Sequence, residues 1–288
     1  MTFSVAITGA NGYVGGLLAD ALRKEGHHIY SMGRRARPQD EGVFVPFHLG
    51  QKNDYAVLDK TDVLIHCAYD FSARSWQEIC RINIDASNEL LREAHRRGVK
   101  KIIFLSSICA YENAKSYYGK AKLAIEKQAT LVGAVNLRPG TVFGKNAAGI
   151  IGTISAFIRK NRIVPLIGMG GQIFYPCHED DLTGVVSKLL ALPALPATPV
   201  TAACKETITY KKLVQFLAKA EHRKVVLLPI PYVFIYALFA ILQKLDIHTV
   251  RGTDSLINLN NPNLHPDFRE AQKLGVIFHP LTLASLRN

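Results

Sequence analysis

The first 25 residues leave few choices of fold. Residues 3–7 form a short apolar run, FSVAI, and the next residues, TGANGYVGG, place glycines at Gly9, Gly12 and Gly15. The stretch LLADALRKE then has the apolar spacing of a helix. A strand, a glycine-rich turn and a helix in this order let backbone N–H groups and the positive end of the helix receive a pyrophosphate. The segment therefore predicts a dinucleotide-binding βαβ unit.

The alternation of strand and helix continues to about residue 144. Continuous Val/Ile/Leu runs are typical of strands buried on both faces of a parallel sheet. Further strands are predicted at residues 29–32, 43–47, 63–66, 102–105 and 134–137. The pattern is that of an α/β protein with a doubly wound parallel sheet, and we assign the dinucleotide-binding core to residues 1–144.

The second half of the chain is less regular and richer in glycine and proline. Helices are predicted at about residues 147–160, 180–191 and 208–220. Binding sites on open α/β sheets lie at the carboxyl ends of the strands. We therefore expect residues 145–288 to supply the remaining sheet elements and a smaller, discontinuous substrate-binding cap, interleaved with the core.

The amino-acid composition restricts the kinds of molecule that the protein is expected to bind. With 35 basic and 23 acidic residues the formal charge is +12, which favours anionic ligands. The basic runs are not interleaved with aromatic residues, so no nucleic-acid partner is expected. Five cysteines without CxxC spacing indicate neither a disulfide framework nor a metal site. Together with an N-terminus that does not resemble a signal peptide, they favour the cytoplasm.

One long apolar stretch complicates this interpretation. Residues 225–242 carry no charge over 18 positions, which is the lower limit for a membrane span. Pro229 and Pro231 interrupt the stretch and leave a helix over about 231–244 that is too short to cross a bilayer. We expect a buried or partner-facing helix, and the alternative is docking of 225–244 on the inner face of a membrane.

The end of the second strand bears on the choice of cofactor. A carboxylate there would bind the ribose hydroxyls of NAD, whereas an arginine accommodates the 2′-phosphate of NADP. The sequence reads IYSMGRRARP, with Gly33 in place of an acid and with Arg34 and Arg35 after it. NADP(H) is favoured and NAD(H) remains possible. Arg34 is the better candidate because it lies nearer the strand end.

Residues 116–126, SYYGKAKLAIE, contain a candidate acid/base. Tyr118 and Lys122 are four residues apart and share one helix face, where the ammonium lowers the pKa of the phenol towards neutrality. The alternative is a solvated surface pair without catalytic effect. Upstream, Ser106 and Ser107 end the fifth strand, and only one of the two can face the cleft if the strand alternates to its end.

Several segments together identify a resemblance. TGANGYVG, DVLIHCA, the run INIDASNELLREAHRRGVKKIIFLSS, YGKAKLAIE and LRPGTVFG resemble the extended short-chain dehydrogenase/reductase superfamily, in its nucleotide-sugar epimerase and reductase group. CHEDDL, LPIPYVFIYALFAIL and DSLINLNNPNL are similar to later segments of that group. The resemblance implies a Rossmann-like core and a homodimer.

The resemblance also implies roles for particular residues. Tyr118 would be the acid/base, Lys122 its activator and ribose anchor, Ser107 the partner of the carbonyl oxygen, and Asn83 a support residue. Asp181 would be a structural acid. The cofactor would contact Thr8, Gly9, Asn11, Gly12, Tyr13, Val14, Gly15, Arg34, Arg35, Leu49, Cys67, Ala68, Tyr69, Lys122 and Pro139. The substrate would contact Ser107 and Tyr118. Apart from the resemblance, a sugar diphosphate requires cations in the cap, and Arg251 is our candidate for a pyrophosphate contact, with Arg159 and Arg162 as rivals.

Some positions of the sequence depart from the motifs of this group, and they narrow the range of reactions that we expect. His48 stands where an Asp often lies near the adenine, and Ser107 and Tyr118 are unusually close in sequence. The strand end reads Ser107-Ile108-Cys109 rather than Thr-Asp-Glu, which disfavours dehydration. We expect reduction of a 4-keto nucleotide sugar by NADPH. The alternatives are a 4-epimerase with retained NAD, a dehydrogenase of a lipophilic or sterol-like alcohol, and a non-enzymatic NADPH-binding protein.

Overall fold

A sheet of seven parallel strands runs through the molecule. The computed structural model describes residues 2–36, 42–145, 147–244 and 252–286. In the first half the elements are β1 (Ser4–Thr8), α1 (Tyr13–Lys24), β2 (His28–Gly33), β3 (Val43–Pro46), β4 (Val63–His66), α2 (Trp76–Ile79), α3 (Ala86–Arg96), β5 (Lys101–Leu105), α4 (Tyr117–Leu131) and β6 (Val135–Pro139). A π-helical turn, Cys80–Asp85, joins α2 to α3.

The second half contains shorter strands and the remaining helices. They are β7 (Thr141–Phe143), α5 (Gly149–Lys160), β8 (Ile163–Ile167), β9 (Ile173–Phe174), β10 (Pro176–His178), α6 (Glu179–Ala191), β11 (Val200–Ala202), β12 (Ile208–Thr209), α7 (Tyr210–Ala220), β13 (Val226–Ile230), α8 (Tyr232–Lys244), α9 (Gly252–Asn260) and α10 (Arg269–Lys273).

The strand order of the large sheet indicates where a binding site is expected. The large sheet has the order β11-β6-β5-β4-β1-β2-β3, with parallel pairing throughout. The order reverses between β1 and β4, and a crevice opens at such a switch point beyond the carboxyl ends of the strands. The structure confirms the predicted doubly wound sheet. Each strand predicted in the first half is present, with ends that differ by two residues at most.

Alternating strand residues bury the two faces of this sheet. Val5 and Ile7 pack with apolar residues of α1 and α6 on one face. Ala6 and Leu64 pack with residues of α3 and α4 on the other. This is the side-chain period of two that places successive residues of a strand on opposite faces. Both faces are covered, so the strands read as continuous apolar runs.

The other elements of the second half pack around clusters of their own. Three small sheets pair β7 with β10, β9 with β12, and β8 with β13. Helices α5 and α7 contribute to one cluster, whereas Ile235 of α8 and Leu256 of α9 share another. In contrast, β11 joins the main sheet and α6 covers its face.

The apolar stretch 225–242 divides into a strand and a helix. Sequence analysis predicted the helix over about 231–244, and α8 occupies Tyr232–Lys244. It did not predict β13, which pairs in parallel with β8. Within the described ranges, no helix combines the length and hydropathy that a membrane span requires.

Candidate active site

The glycine loop between β1 and α1 fits a pyrophosphate. Gly9 has φ +69°, and a Cβ built on it would lie 2.9 Å from the backbone of Ala68. A Cβ on Gly15 would lie 2.3 Å from the carbonyl oxygen of Gly9. Side chains at these positions would close the loop against itself. The residue before α1 is Gly12, which has no side chain to cap the helix, so the first N–H groups remain available for an anion.

A buried polar chain supports the loop from behind. Thr8 Oγ1 accepts hydrogen bonds from the N–H groups of Cys67 and Ala68, at 3.1 and 3.2 Å. Its own proton is therefore donated to His66 Nδ1, 2.6 Å away, and His66 Nε2 donates to Ser87 Oγ at 2.8 Å. Burial, and secondarily the Lys122 ammonium, lowers the pKa of His66 to about 3 and keeps the ring neutral.

This hydrogen-bonded network bears on the role expected of Thr8. Its side chain is fully buried and fixes the start of the loop after β4, so only the Thr8 backbone is left to contact the cofactor, and that contact stays a prediction. Sequence reasoning did not identify His66 or Ser87. The signal was a histidine at the end of an otherwise apolar strand, VLIH, which is also compatible with a histidine that is simply hydrogen-bonded in the core.

Asn11 links the glycine loop to the end of β2. Its Nδ2 donates to the carbonyl oxygen of Arg35 at 2.7 Å. A Cβ on Gly33 would lie 2.1 Å from Asn11 Oδ1, so this contact requires glycine there. The side chains of Arg34 and Arg35 are exposed, and neither guanidinium forms an ion pair with any residue that the structure describes. A cationic pair thus stands at the strand end where NAD-binding chains place a carboxylate.

Tyr13 has an unexpected partner. Its hydroxyl donates to Glu179 Oε2 at 2.9 Å, and Glu179 Oε1 accepts from the Lys145 N–H. Burial, followed by the Glu179 charge, raises the pKa of Tyr13 well above its ordinary value. Glu179, in the first turn of α6, was not identified from the sequence. Its contact holds the start of α1 against α6.

The remaining predicted cofactor residues lie around the same crevice. Tyr69, Cys67 and Leu49 pack beside the main-sheet core and are half-buried, as is Val14 on α1. Pro139 ends β6, and its carbonyl oxygen accepts from the Ile108 N–H, in the loop that follows Ser107.

Lys122 is buried beneath Tyr118. The lysine is only 2% exposed, and its Nζ donates to the carbonyl oxygen of Leu105 at 2.7 Å. The same atom lies 4.7 Å from the ring centre of Phe104, 5.2 Å from that of Tyr69 and 6.0 Å from that of Tyr118. The pair is therefore not the solvated surface pair that the sequence left as an alternative.

The Lys122 amine holds its proton less tightly than an ordinary lysine. Burial lowers its pKa from 10.5 to about 8, against the opposing influence of Cys67 and Glu126. The structure indicates a group that is mostly protonated at neutral pH and loses its proton in moderately alkaline solution.

The two serines at the end of β5 have different partners. Ser106 Oγ donates to Glu126 Oε1 at 2.5 Å, and Glu126 also forms a two-point ion pair with Arg138. Ser106 is therefore committed to a buried structural network. Ser107 Oγ accepts from the Cys109 N–H at 3.2 Å and hydrogen-bonds to the Cys109 side chain, and among the described residues it has no carboxylate partner. A thiol is a weak acceptor, so Ser107 is the serine that can exchange its partner for a substrate oxygen.

Asn83 supports the loop after β4. It lies in the π-helical turn and is completely buried. Its Oδ1 accepts from the Asp70 N–H at 2.7 Å and its Nδ2 donates to the Asp70 carbonyl oxygen at 3.0 Å. The loop so fixed carries Tyr69 and Phe71, whose ring centres lie 5.1 and 5.7 Å from that of Tyr118.

Aromatic side chains continue outward from Tyr118. Phe71 is 58% exposed although it stacks on the Tyr118 ring, and the ring of Trp76 lies 5.5 Å from that of Tyr117. The mouth of the candidate site is therefore lined on this side by large apolar rings. Sequence reasoning did not single out Phe71 or Trp76.

Of the predicted substrate cations, Arg159 and Arg162 form no contact with these rings among the residues that the structure describes. Arg251 lies outside the described residues. Arg159 Nη1 pairs with Glu221 at 2.7 Å, between the ends of α5 and α7. Arg162 is exposed just before β8. Asp181 accepts hydrogen bonds from the backbone and ring of His279, in keeping with the structural role inferred for it.

Comparison with known sequences gives a consistent family. A model of the NAD dependent epimerase/dehydratase family matches residues 5–197. A ceramide reductase of Caulobacter vibrioides is 24% identical over 235 residues, which cover 79% of this chain and 73% of the relative. A UDP-glucose 4-epimerase of Vibrio cholerae is 26% identical over 197 residues, covering 57% of this chain and 60% of that protein.

Solved structures agree on the fold. The UDP-glucose 4-epimerase of Thermus thermophilus, in complex with NAD, superposes with a TM-score of 0.75 at 19% identity, over 100% of this chain and 97% of that one. The corresponding enzyme of Thermotoga maritima, with UDP-glucose, gives a TM-score of 0.72 at 20% identity, with 100% and 96% covered.

Proposed function

Because the chain belongs to the NAD-dependent epimerase/dehydratase family, we propose that it reduces a carbonyl group, with Tyr118 as the proton donor to the carbonyl oxygen. The observation that carries the proposal is the buried Lys122, which is held by the Leu105 carbonyl one helical turn beyond Tyr118. Burying a lysine is costly, and a purely structural site would rarely retain one without a carboxylate partner.

The described side chains divide the work between them. A bound nicotinamide supplies the hydride. The Ser107 hydroxyl donates a hydrogen bond to the substrate oxygen and orients it. Tyr118 then transfers its proton to that oxygen as negative charge develops, and the Lys122 ammonium stabilises the tyrosinate that remains. Phe71 and Tyr69 exclude water from the phenol on one side.

The cofactor proposed is NADPH. Support comes from the exposed guanidinium of Arg34 at the end of β2, where Gly33 provides no carboxylate for the ribose. A 2′-phosphate bound by an exposed arginine would leave the cofactor able to exchange after each turnover. This favours reduction over epimerisation, which requires the same proton-transfer residues but a retained NAD.

A 4-keto nucleotide sugar is the first substrate candidate. Its support is the presence of UDP-glucose 4-epimerases among the relatives in sequence and in structure. The mechanism above requires only a keto group beside the nicotinamide, which such a sugar supplies. The absence of a Thr-Asp-Glu sequence after β5 argues against dehydration as the reaction.

A long-chain lipid ketone is the second candidate, and a specific observation favours it. Phe71 stacks on Tyr118, and the partly exposed pair Trp76 and Tyr117 extends the aromatic surface beside it, which suits an acyl chain better than a diphosphate. The name of the relative from Caulobacter vibrioides, ceramide reductase, points to the same class of compound.

Association with an anionic membrane surface is part of this second candidate. The outer side of α8 exposes Val233, Phe234 and Leu238, each more than half exposed, and β13 exposes Val226 beside Ile163 of β8. Exposed cations border this apolar surface at the starts of the two strands, namely Lys160, Arg162, Arg223 and Lys224. Apolar side chains flanked by cations suit a bilayer of anionic lipids.

Binding to vesicles tests the membrane proposal. Co-sedimentation is expected with phosphatidylglycerol-containing vesicles and not with phosphatidylcholine vesicles, and Phe234→Ser with Leu238→Ser should abolish it. A protein that ignores both kinds of vesicle would refute membrane association. Sedimentation velocity without lipid tests the proposed homodimer and shows whether the same apolar surface is covered by a second copy.

One assay tests the function. Purified protein is mixed with NADPH or NADH and a panel of 4-keto nucleotide sugars and long-chain keto lipids in mixed micelles, and nicotinamide absorbance is followed. Oxidation of NADPH by one of the two substrate classes is expected. Oxidation of neither cofactor by any compound would contradict the reductase, and purification with tightly held NAD would favour the epimerase.

A further inference from the structure

Helix α9 and the residues after it form hydrogen bonds to the loop between Ser107 and Tyr118. Asp254 Oδ1 accepts from the Tyr117 N–H at 2.6 Å, and its Oδ2 accepts from the Tyr118 N–H at 3.0 Å. One carboxylate from the C-terminal part of the chain therefore binds the first two backbone N–H groups of the helix that carries the candidate acid.

Asn258 lies one turn further along α9 and extends the contact. Its Oδ1 accepts from Ser116 Oγ at 3.0 Å, and its Nδ2 donates to Cys109 Sγ at 3.2 Å. Beyond the helix, the Asn261 carbonyl oxygen accepts from the Tyr111 hydroxyl at 3.0 Å, and Asn263 contacts the Ile108 carbonyl. We refer to Asp254, Asn258, Asn261 and Asn263 as the α9 clamp.

The chemistry of a helix start explains why such a clamp matters. The first four N–H groups of an α-helix have no partner within the helix. In α4, Ser116 Oγ satisfies only the Gly119 N–H, and Asp254 satisfies those of Tyr117 and Tyr118. A carboxylate at this end also complements the helix dipole.

The loop that the clamp binds has little regular structure of its own. Residues 106–116 connect β5 to α4 without a helix or strand. Its ends are held by the sheet and by α4, but the clamp supplies the long-range bonds in the middle and at the start of α4. The N–H groups of Ser106 and Ile108, on either side of Ser107, donate to carbonyl oxygens of β6. What α9 holds is the start of α4, and hence the place of Tyr118 relative to Ser107.

We propose that Asp254 and Asn258 are positioning residues that hold the Tyr118 phenol in place relative to the Ser107 hydroxyl. The inference rests on the proposed function for the role of Tyr118. It concerns a part of the chain that lies beyond the residues matched by the family model, which end at 197. Neither residue touches the reacting atoms; both act through the backbone and side chain of residues 109–118.

Three single variants separate positioning from general stability. Asp254→Ala removes both acceptors, Asp254→Asn retains one oxygen that can still accept from an N–H, and Asn260→Ala is the matched control on an exposed position of the same helix. The first readout is kinetic. For Asp254→Ala, kcat should fall about 10- to 100-fold while the KM for NADPH stays within about twofold, because misplacement by about 1 Å is costly.

Asp254→Asn should recover part of the lost kcat, and Asn260→Ala should match the wild type. Equal kcat values for Asp254→Ala and the wild type would overturn the proposal. So would a fall in kcat that is the same for Asp254→Asn and Asp254→Ala and is accompanied by an equal fall in cofactor affinity, since that pattern indicates a general loss of structure.

A second readout does not require a known substrate. Backbone amides of residues 116–119 should exchange with deuterium about tenfold faster or more in Asp254→Ala, because two of them lose their acceptor. The single tryptophan, Trp76, contacts Tyr117 and should report the same change by its fluorescence emission. Unchanged exchange and emission would refute the clamp, whereas changed exchange without any reductase activity would refute only the proposed reaction.

Discussion

Replacing Lys122 by Met should increase the stability of the protein at neutral pH while removing its activity. Burial lowers the pKa of Lys122 from 10.5 to about 8. At about 1.4 kcal/mol per pKa unit, keeping the ammonium charged in the folded protein costs ~3 kcal/mol below pH 8. The lost hydrogen bond to Leu105 and the lost cation–π contact with Phe104 offset ~1–2 kcal/mol of this. A net gain of ~1–2 kcal/mol remains.

The pH dependence of the free energy of unfolding provides a second test of whether Lys122 destabilises the fold. Between about pH 8 and pH 10.5 the unfolded chain binds more protons at Lys122 than the folded chain, so the wild type gains stability as the pH rises. The cost of the ammonium is fully present below pH 8 and is gone above pH 10.5. The advantage of Lys122→Met should therefore be largest at pH 7 and vanish at about pH 10.

Urea unfolding followed by circular dichroism at the two pH values measures both effects. Lys120→Met is the matched control, because Lys120 is exposed on the same helix and its replacement should change stability by less than ~0.5 kcal/mol. A Lys122→Met variant that is less stable than the wild type by ~1 kcal/mol at pH 7 would refute the reasoning. It would show that the buried ammonium is a stabilising group.

Two further variants test the cofactor crevice. Arg34→Ala should raise the KM for NADPH about 10- to 100-fold and leave that for NADH within about twofold, as one charge-assisted contact is worth ~1.5–3 kcal/mol; equal effects on the two cofactors in steady-state kinetics would contradict this. Asn83→Ala leaves the N–H and carbonyl of Asp70 without their buried partner, and should lower the free energy of unfolding by ~1–3 kcal/mol in urea titrations. No loss of stability would show that the Asp70 backbone is readily solvated.

Local sequence patterns were sufficient for the core of the molecule. The strands of a doubly wound sheet are apolar on both faces, so β1 to β6 could be read from runs of Val, Ile and Leu. The glycine loop and the Tyr118–Lys122 pair could be identified because the residues of each lie within seven positions of one another in the sequence. β13 could not, because an apolar stretch with two prolines is compatible with either strand or helix until its pairing with β8 is known.

The missed residues share one property, which is that their partners are distant in sequence. Glu179 lies 166 residues from Tyr13, and Asp254 lies 136 residues from Tyr118. No local period connects such pairs. The same holds for the depressed pKa of Lys122, which follows from burial that only the packed structure produces. The sequence indicated the acid/base pair but not the surroundings that determine its charge.

In the proposed mechanism the Tyr118 hydroxyl is the proton donor. The most direct measurement compares single-turnover reduction by Tyr118→Phe and by Tyr117→Phe with bound NADPH and the substrate found in the panel. Both variants lose one hydroxyl on adjacent positions of α4. We expect the rate to fall about 10²- to 10⁴-fold in Tyr118→Phe and to change less than about threefold in Tyr117→Phe. A Tyr118→Phe protein that reduces its substrate at the wild-type rate would contradict the mechanism.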